Sequence, residues 1–406
     1  MKHKPFNYAM IIMALLYLAY FSANYAQYQL SPLGGAVMER YGIDQAFFSK
    51  VFSAPLTPGI VLCLLAGLLG DRWGVRAVVT AGMLLGAAGM LWRAVDLTAA
   101  GLYGSMLLLG VAIALLNSNY AKIMGQWVDP SRLGLVGGVV LSSTSCGMAI
   151  AVGSTSLLPS LDTAYAISAA LSALVAGLWL FLMRERPALI APVLPASAPA
   201  SCRPGFLQCL QAVCRSRSLW LISGCMFLMM GACVTVAAFL PTAWQELRGM
   251  DVTTSGYLTA VMMTGNMCGA VGGPYLAGRG NFRAIVVLDG CLYGLGAAFA
   301  WLLPSGPLLW LALFLAGFSL GSLFSLFLSL PALLPEVGEV YGGTGGGVVS
   351  TFQMLGATFL PGYVVVPLCG GEYRLMFYLC GLLLLLLVVL ACLLPPIDFR
   401  PQRSVN

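Results

Sequence analysis

Polar side chains recur at a few positions within the long apolar stretches of this chain, and their types limit the chemistry it can do. They are amides, one phenol and one indole, which bind solutes through hydrogen bonds and ring contacts. The first half contributes Asn24, Gln27, Tyr28, Asn117 and Asn119, and the second half contributes Trp244, Gln245, Asn266 and Gln353. Two uses remain open for each of them: lining a hydrated binding site, or bonding helix to helix at about 1 kcal/mol per pair.

Lys122 is the cation nearest to these polar groups. It follows Asn119 by three residues and therefore lies on the same helical face. Its side chain can extend to the lipid headgroups, which is the commoner arrangement, or it can face a cavity and hold a substrate anion. No Lys or Arg falls at the middle of an apolar stretch, and Lys122 itself lies near the inner end of the fourth one.

Covalent catalysis has little support in the sequence. The chain has 406 residues, of which 14 are Asp or Glu and one is His, namely His3. A membrane enzyme would need a nucleophile with a base, or a metal cluster, and no such grouping is visible. We therefore predict that the protein is not an enzyme and needs no cofactor or metal.

The elements that position these side chains must lie in a membrane. Hydrophobic residues make up 60% of the chain and charged residues 8%, far from a soluble domain, and the mean hydropathy is +0.91. A membrane helix needs roughly 20 apolar residues. Such stretches lie near residues 8–31, 51–70, 77–92, 99–121, 133–158, 163–183, 219–245, 254–277, 284–303, 307–333, 341–368 and 375–394.

These stretches predict an all-α membrane protein with twelve transmembrane helices in two pseudo-symmetric six-helix bundles. The expected organisation is an N-terminal bundle over 1–183, a cytoplasmic linker over 184–218 rich in Pro, Ala and Ser, and a C-terminal bundle over 219–406. Most Lys and Arg fall on one side of the predicted helices, which places both termini in the cytoplasm. Compact loops favour a bacterial inner membrane.

The sequence also contains signs of an internal duplication. Gly42 and Asp44 reappear as Gly249 and Asp251, a shift of 207 residues. The same shift relates Arg72 and Arg76 to Arg279 and Arg283, and a shift of 209 relates the Gly-Gly-Val-Val run at 137–140 to that at 346–349 and Gly147 to Gly356. Three features near one offset and in one order predict two related six-helix units.

A charged motif separates the second and third predicted helices. It runs from Gly67 through Asp71, Arg72 and Gly74 to Arg76. The spacing of Gly, Asp, Arg, Gly and a basic residue resembles the loop signature of the major facilitator superfamily, with Val75 in place of a second basic residue. The resemblance covers the whole chain and implies a secondary active or facilitative transporter that works by alternating access.

The resemblance implies a cytoplasmic gate. Asp71 would face the positive N-terminal end of the eleventh helix. Arg72 and Arg76 would pair with acids of the opposite half, such as Glu336 and Glu339, in a contact that breaks when the halves move. The alternative for the arginines is that they only set topology, and this applies most to Arg76.

A second motif bears on the substrate. The segment from Gln126 through Trp127, Pro130 and Arg132 to Gly134 resembles the branches for nitrate and nitrite, cyanate, oxalate and formate, and monocarboxylates. It favours a small organic or inorganic anion. The alternative is a drug or metabolite efflux antiporter of the same superfamily, but Gly147 lacks the adjacent proline typical of that group.

Energy coupling depends on titratable groups inside the helices. The acid well inside a predicted helix is Asp289, and we expect it to pair with Arg279 or Arg283. Exchange or facilitated diffusion is therefore favoured over proton symport. A channel is disfavoured, because no filter loop is visible. We expect a monomer that works in the lipid bilayer on a small-molecule substrate, without nucleic acid.

Overall fold

A computed structural model describes residues 5–96, 98–128, 133–184, 215–279, 281–334 and 338–394. Two compact units are present, Met1–Cys202 with Asp251–Gly256 and Arg203–Met250 with Tyr257–Asn406. All of the elements in the described ranges are helical, as the apolar stretches predict.

The first unit begins with a long helix and continues through two short ones before its second long helix. Its helices are α1 (Pro5–Tyr28), α2 (Gly34–Tyr41), α3 (Gln45–Ser53), α4 (Thr57–Trp73), α5 (Val75–Val95), α6 (Ala99–Trp127), α7 (Leu133–Thr155) and α8 (Leu161–Leu182). A 3₁₀ turn at Ala54–Leu56 joins α3 to α4.

The second unit repeats this arrangement without the two short helices. Its helices are α9 (Arg217–Arg248), α10 (Val252–Arg279), α11 (Phe282–Phe299), α12 (Pro307–Leu333), α13 (Gly338–Phe359), α14 (Val366–Cys369) and α15 (Tyr373–Cys392). A π-helix at Leu360–Val365 joins α13 to α14, and a 3₁₀ turn at Ala300–Leu302 follows α11.

Ten helical stretches in the described ranges are long and apolar enough to cross a membrane. The remaining two predicted spans correspond to α4, which has 17 residues, and to α10, which has 28. The structure is thus consistent with the predicted twelve-helix membrane fold.

The duplication is visible in the backbone. Gly42 and Gly249, which follow α2 and α9, both have φ 61° in the left-handed region, where glycine has no steric penalty. Two residues later, Asp44 and Asp251 each accept a hydrogen bond from the backbone N–H three residues on. The predicted repeat therefore carries the same local geometry in both copies.

Helix packing repeats as well. Within each unit the first long helix packs on the fifth and sixth, and the third packs on the fourth and sixth. A Cβ built on Gly147 of α7 would lie 2.7 Å from the Phe21 carbonyl oxygen, and one on Gly356 of α13 would lie 2.1 Å from that of Phe227. Glycine at both positions lets the fifth long helix approach the backbone of the first.

Glycines also recur at small-residue spacing along α7, α10 and α13, and this spacing predicts close helix packing. The structure divides these glycines into two groups. On α10, a Cβ at Gly265, Gly269 or Gly273 would collide with α12, so close helix packing is confirmed there. Gly138 on α7 and Gly347 on α13 have no atom of the described residues within 4 Å of such a Cβ, so the structure shows no packing contact for these two. Both lie in the first half of the fifth long helix of their unit, at the shift of 209 residues.

Candidate functional site

The predicted polar residues of α1 lie at its C-terminal end. The Asn24 amide donates to the Tyr20 carbonyl at 2.9 Å, within its own helix. The Gln27 amide donates to the Phe52 carbonyl of α3 at 3.0 Å, and the Tyr28 and Phe52 rings lie 5.3 Å apart. Gln27 and Tyr28 are thus brought together against α3, and at least one function of Gln27 is helix-to-helix bonding.

The predicted residues of α6 do not share one surface. Asn117 is exposed, whereas Asn119, two residues later, is fully buried and donates to the Leu115 carbonyl at 2.9 Å. Two residues correspond to about 200° around a helix, which explains the difference. Lys122 shares the face of Asn119 and is partly exposed.

Aromatic contacts hold α1 beside α6. The Tyr20 and Tyr120 rings lie 6.0 Å apart, and the Tyr8 and Trp127 rings lie 5.4 Å apart. The polar residues of these two helices therefore lie on neighbouring elements of one unit. Trp127 belongs to the second sequence motif and is buried, while residues 129–132 of that motif lie outside the described ranges.

In the second unit the predicted residues occupy three helices. Trp244 is fully buried on α9, and its indole N–H has no hydrogen-bond partner among the described residues. Gln245 next to it is partly exposed. Asn266 on α10 is partly exposed and belongs to the segment packed against the α12 glycines, and Gln353 on α13 is buried.

Sequence reasoning missed the role of Arg93, which lies one residue beyond the predicted apolar stretch at 77–92. Its side chain is 1% exposed near the end of α5. It donates to the Ala26 carbonyl at 2.8 Å, to Gln29 Oε1 at 3.2 Å and to Ser168 Oγ at 2.5 Å. The guanidinium also lies 4.6 Å from the centre of the Tyr165 ring. No carboxylate lies within ion-pair distance of it in the described ranges.

The Arg93 contacts have a structural explanation in the end of α1. Ala26 is two residues from the last residue of that helix, where carbonyls lack intrahelical donors and the helix dipole is negative. The buried guanidinium of Arg93 donates a hydrogen bond to the Ala26 carbonyl, and its positive charge interacts favourably with the negative end of the dipole. One sequence signal could have indicated this role: Arg93 comes directly after an apolar run, and the helix α5 continues past it to Val95.

The expected ion pair of Asp289 is wrong. Asp289 is 6% exposed on α11 and accepts a hydrogen bond from Ser322 of α12 at 2.5 Å. Arg279 instead contacts the ring and hydroxyl of Tyr275, and Arg283 donates to the Leu394 carbonyl. The second unit thus buries a carboxyl group among hydroxyl and apolar groups.

The residues of the charged motif are mostly helical. Gly67, Asp71 and Arg72 belong to α4, which extends three residues beyond the predicted end at Gly70. Gly74 alone separates α4 from α5, with φ 86° and ψ 146°, a conformation that favours glycine. Arg72 and Arg76 are exposed. The turn between the two helices therefore requires a glycine at position 74.

The partners predicted for the motif are not described in the same detail. Glu336 lies outside the described ranges, and Glu339 lies in α13 with its side chain undescribed, as is the side chain of Asp71. Arg76 donates to the Leu180 carbonyl of α8 at 3.2 Å, within its own unit. The gate made by these residues stays a prediction.

Two carboxylates outside the membrane-spanning helices are hydrogen-bonded acceptors. The Thr98 backbone N–H and hydroxyl and the Trp92 indole hold the pKa of Asp96 below its ordinary value. The hydroxyl and backbone N–H of Thr254 do the same for the pKa of Asp251. Stability from such groups is present above the unfolded-state pKa and is lost as the pH falls through the folded-state pKa.

Comparisons with known proteins agree with this architecture. The profile of the Major Facilitator Superfamily matches residues 16–361. A curated relative from Thermus thermophilus, named as a probable nitrate/nitrite antiporter, NarK1, is 25% identical over 365 residues, which cover 81% of this chain and 78% of the relative.

Solved structures resemble the chain over almost its full length. A nucleoside transporter, NupG, has a TM-score of 0.75 and 16% identity over 94% of this chain and 99% of its own. A bacterial homologue of the human lysosomal transporter Spinster, inward-facing and unoccupied, has a TM-score of 0.72 and 12% identity over 97% and 96%. At these identities the likeness shows the fold alone.

Proposed function

The chain belongs to the Major Facilitator Superfamily, and from that premise we propose that it carries a small organic or inorganic anion across the membrane by alternating access. It is a multi-pass membrane transporter and not an enzyme. The observation that carries the choice of an anion is the similarity to the nitrate/nitrite antiporter, which extends over most of both chains. The segment at Gln126 to Gly134 supports the same class.

The substrate-binding residues that we propose come from both units. They are Asn24, Gln27, Tyr28, Asn117, Asn119, Lys122, Trp244, Gln245, Asn266 and Gln353. Lys122 would supply the charge, since it is partly exposed on the helical face that holds Asn119. The amides would complete the hydrogen bonds to substrate oxygens. Gln27, which donates to the Phe52 carbonyl, also connects α1 to α3.

The gate that we propose is formed by Gly67, Asp71, Arg72, Gly74 and Arg76 with Glu336 and Glu339. Asp71 and Arg72 follow one another at the end of α4, and Gly74 fixes the turn into α5. Contacts of these charges with the other unit would close the cytoplasmic side, and their loss would open it. We place the protein in a bacterial inner membrane with both termini in the cytoplasm, working as a monomer.

Counterflow in proteoliposomes tests this proposal directly. Vesicles loaded with nitrate, nitrite, a small carboxylate or a neutral metabolite are diluted into the corresponding labelled solute. We expect saturable counterflow for one or more anions and none for the neutral solutes. If only a drug-like or neutral metabolite shows counterflow, the anion proposal is wrong and the protein is instead a drug or metabolite efflux antiporter. Flux without saturation would contradict a carrier mechanism.

Two further measurements assign the charge and the coupling. We expect Lys122→Gln to raise the half-saturating anion concentration by about tenfold, the loss of one charged hydrogen bond, and Lys122→Arg to preserve most of the affinity. Lys50→Gln, on α3 in the same unit, is the matched control and should have no effect. Uptake that a protonophore abolishes would contradict exchange.

A further inference from the structure

A groove of about 460 Å³ lies within the first unit, between the start of α5 and the end of α8. Its walls include Trp73, Arg76, Ala77, Thr80, Leu84 and Leu180. None of these residues belongs to the proposed substrate site, and Arg76 alone among them belongs to the proposed gate. The groove is therefore a separate surface of the protein.

The polar end of the groove contains a cation beside an indole. Arg76 is exposed, and its bond to the Leu180 carbonyl at 3.2 Å orients the guanidinium between α5 and α8. Trp73 is 62% exposed. An arginine matches the geometry of a phosphate, and a tryptophan is typical of the depth at which lipid headgroups meet hydrocarbon.

Thr80 lies one turn further along α5, and its hydroxyl does not reach the groove. The residue is 8% exposed, and the hydroxyl oxygen itself is buried without a hydrogen-bond partner among the described residues. The polar contact that the groove offers a ligand therefore comes from Arg76 and Trp73 at its end.

The remainder of the groove is apolar and open to the outside of the unit. Ala77, Ala81 and Leu84 follow one another on one face of α5, and the two alanines give the groove its depth. Leu84 is 46% exposed on a membrane-spanning helix, so its side chain faces the hydrocarbon of the bilayer. A hydrocarbon chain fits this surface, whereas a soluble anion would leave it exposed.

The duplicated unit supplies an internal comparison. Arg283 corresponds to Arg76 at the shift of 207 residues, and it donates to the Leu394 carbonyl of the chain after α15. Trp73 and Thr80, however, correspond to Gly280 and Val287. The tie between arginine and carbonyl is thus common to both units, while the indole and the hydroxyl belong to the first alone.

We propose that the groove binds an anionic phospholipid of the surrounding bilayer, with its phosphate on Arg76, its headgroup region beside the Trp73 indole and an acyl chain along Ala77, Ala81 and Leu84. Charge complementarity selects an anionic headgroup, and the apolar wall selects a lipid over free phosphate. The site is independent of which solute the transporter carries.

Native mass spectrometry of the detergent-purified full chain tests the site. Phosphatidylglycerol is titrated against phosphatidylcholine with the same acyl chains, and we expect the anionic lipid to bind with about tenfold higher affinity. Arg76→Gln should remove that preference, and Arg76→Lys should keep part of it. Thr80→Val, which preserves the shape of the side chain and replaces a buried hydroxyl, should leave the binding of both lipids unchanged.

The matched control is Arg283→Gln, which should retain the binding of the unaltered protein. Equal losses in Arg76→Gln and Arg283→Gln would overturn the proposal in favour of a general charge effect. Displacement of the lipid by inorganic phosphate would overturn it in favour of a soluble anion. Each variant is first checked for a single symmetric peak in size-exclusion chromatography, and the conservative Arg76→Lys tests the site if Arg76→Gln does not fold.

Discussion

The third long helix of each unit buries one charged side chain, and the two charges have opposite signs. In the first unit α5 buries Arg93, which donates to acceptors on two other elements and lies over the Tyr165 ring. In the second, α11 buries Asp289, whose recorded hydrogen bond comes from Ser322. At the shift of 207 residues their counterparts are Ala300 and Gly82.

This difference shows which properties of a duplicated unit are retained. The caps, the glycine contacts and the tie between arginine and carbonyl occur in both copies, because they determine how the helices pack. The buried charges occur in one copy each. A guanidinium has no accessible neutral form and needs acceptors on all sides, whereas a carboxyl group can bind a proton. The units are therefore alike as frameworks and unlike in the charges they contain.

The largest expected effect concerns the motif acid, which only the first unit has. Asp71→Asn should abolish transport while leaving membrane insertion intact, because the amide keeps the shape and removes the charge that would close the gate. Initial rates of uptake in proteoliposomes, normalised to inserted protein, measure this. Gly278, the counterpart of Asp71, makes Gly278→Ala the control, and its rate should remain near that of the unaltered protein. Normal uptake by Asp71→Asn would remove the gate.

Arg93 should be the most important charge for stability. Arg93→Leu leaves three buried acceptors without their donor, at roughly 1–3 kcal/mol each, so the thermal midpoint should fall sharply. Fluorescence-detected size-exclusion chromatography after heating gives the midpoint. The control Arg40→Leu removes an exposed partner of Asp162 and should change it little. Equal midpoints for the two variants would contradict the assigned network.

Two glycines on α13 provide a comparison between a helix contact, at Gly356, and an open surface, at Gly347. Gly356→Ala places a methyl group against the Phe227 backbone of α9 and should cost about 1–3 kcal/mol. Gly347→Ala on the same helix meets no atom of the described residues within 4 Å and should fold normally. The same heating assay compares them. If both variants lose stability equally, the loss in Gly356→Ala does not come from the contact between α13 and the Phe227 backbone.

Asp289→Asn should have the smallest effect. The amide oxygen can accept the hydrogen bond from Ser322, and the substitution removes only the possibility of charge. We expect a change in stability below about 1 kcal/mol. Asp289→Leu, which leaves the Ser322 hydroxyl without its acceptor, provides the comparison and should be worse. A large loss in Asp289→Asn would show that the carboxyl group has an essential ionised form.

The sequence predicted the helices, the family and the duplication, because apolar length and repeated turn residues are local properties. It failed where the outcome depended on which helices meet. The predicted apolar stretch ends at residue 92, just before Arg93, but α5 continues past it to a point where the end of α1 offers carbonyls. Asp289 was assigned to Arg279 or Arg283 by proximity along the chain, and the partner came from α12. Gly138 and Gly347 have the spacing of packing glycines, but no neighbour lies within 4 Å of their added Cβ in the part of the chain that the structure describes.

A mechanical consequence follows from the turn at Gly74. One residue joins α4 to α5, and consecutive Cα atoms are about 3.8 Å apart, so the joint contains no slack. A displacement of the Asp71 end of α4 must therefore displace the first turn of α5 by a similar amount. Because α5 is a continuous rod to Val95, the movement becomes a tilt or a push at its far end, where the guanidinium is anchored. A longer connection would let the two helices move separately.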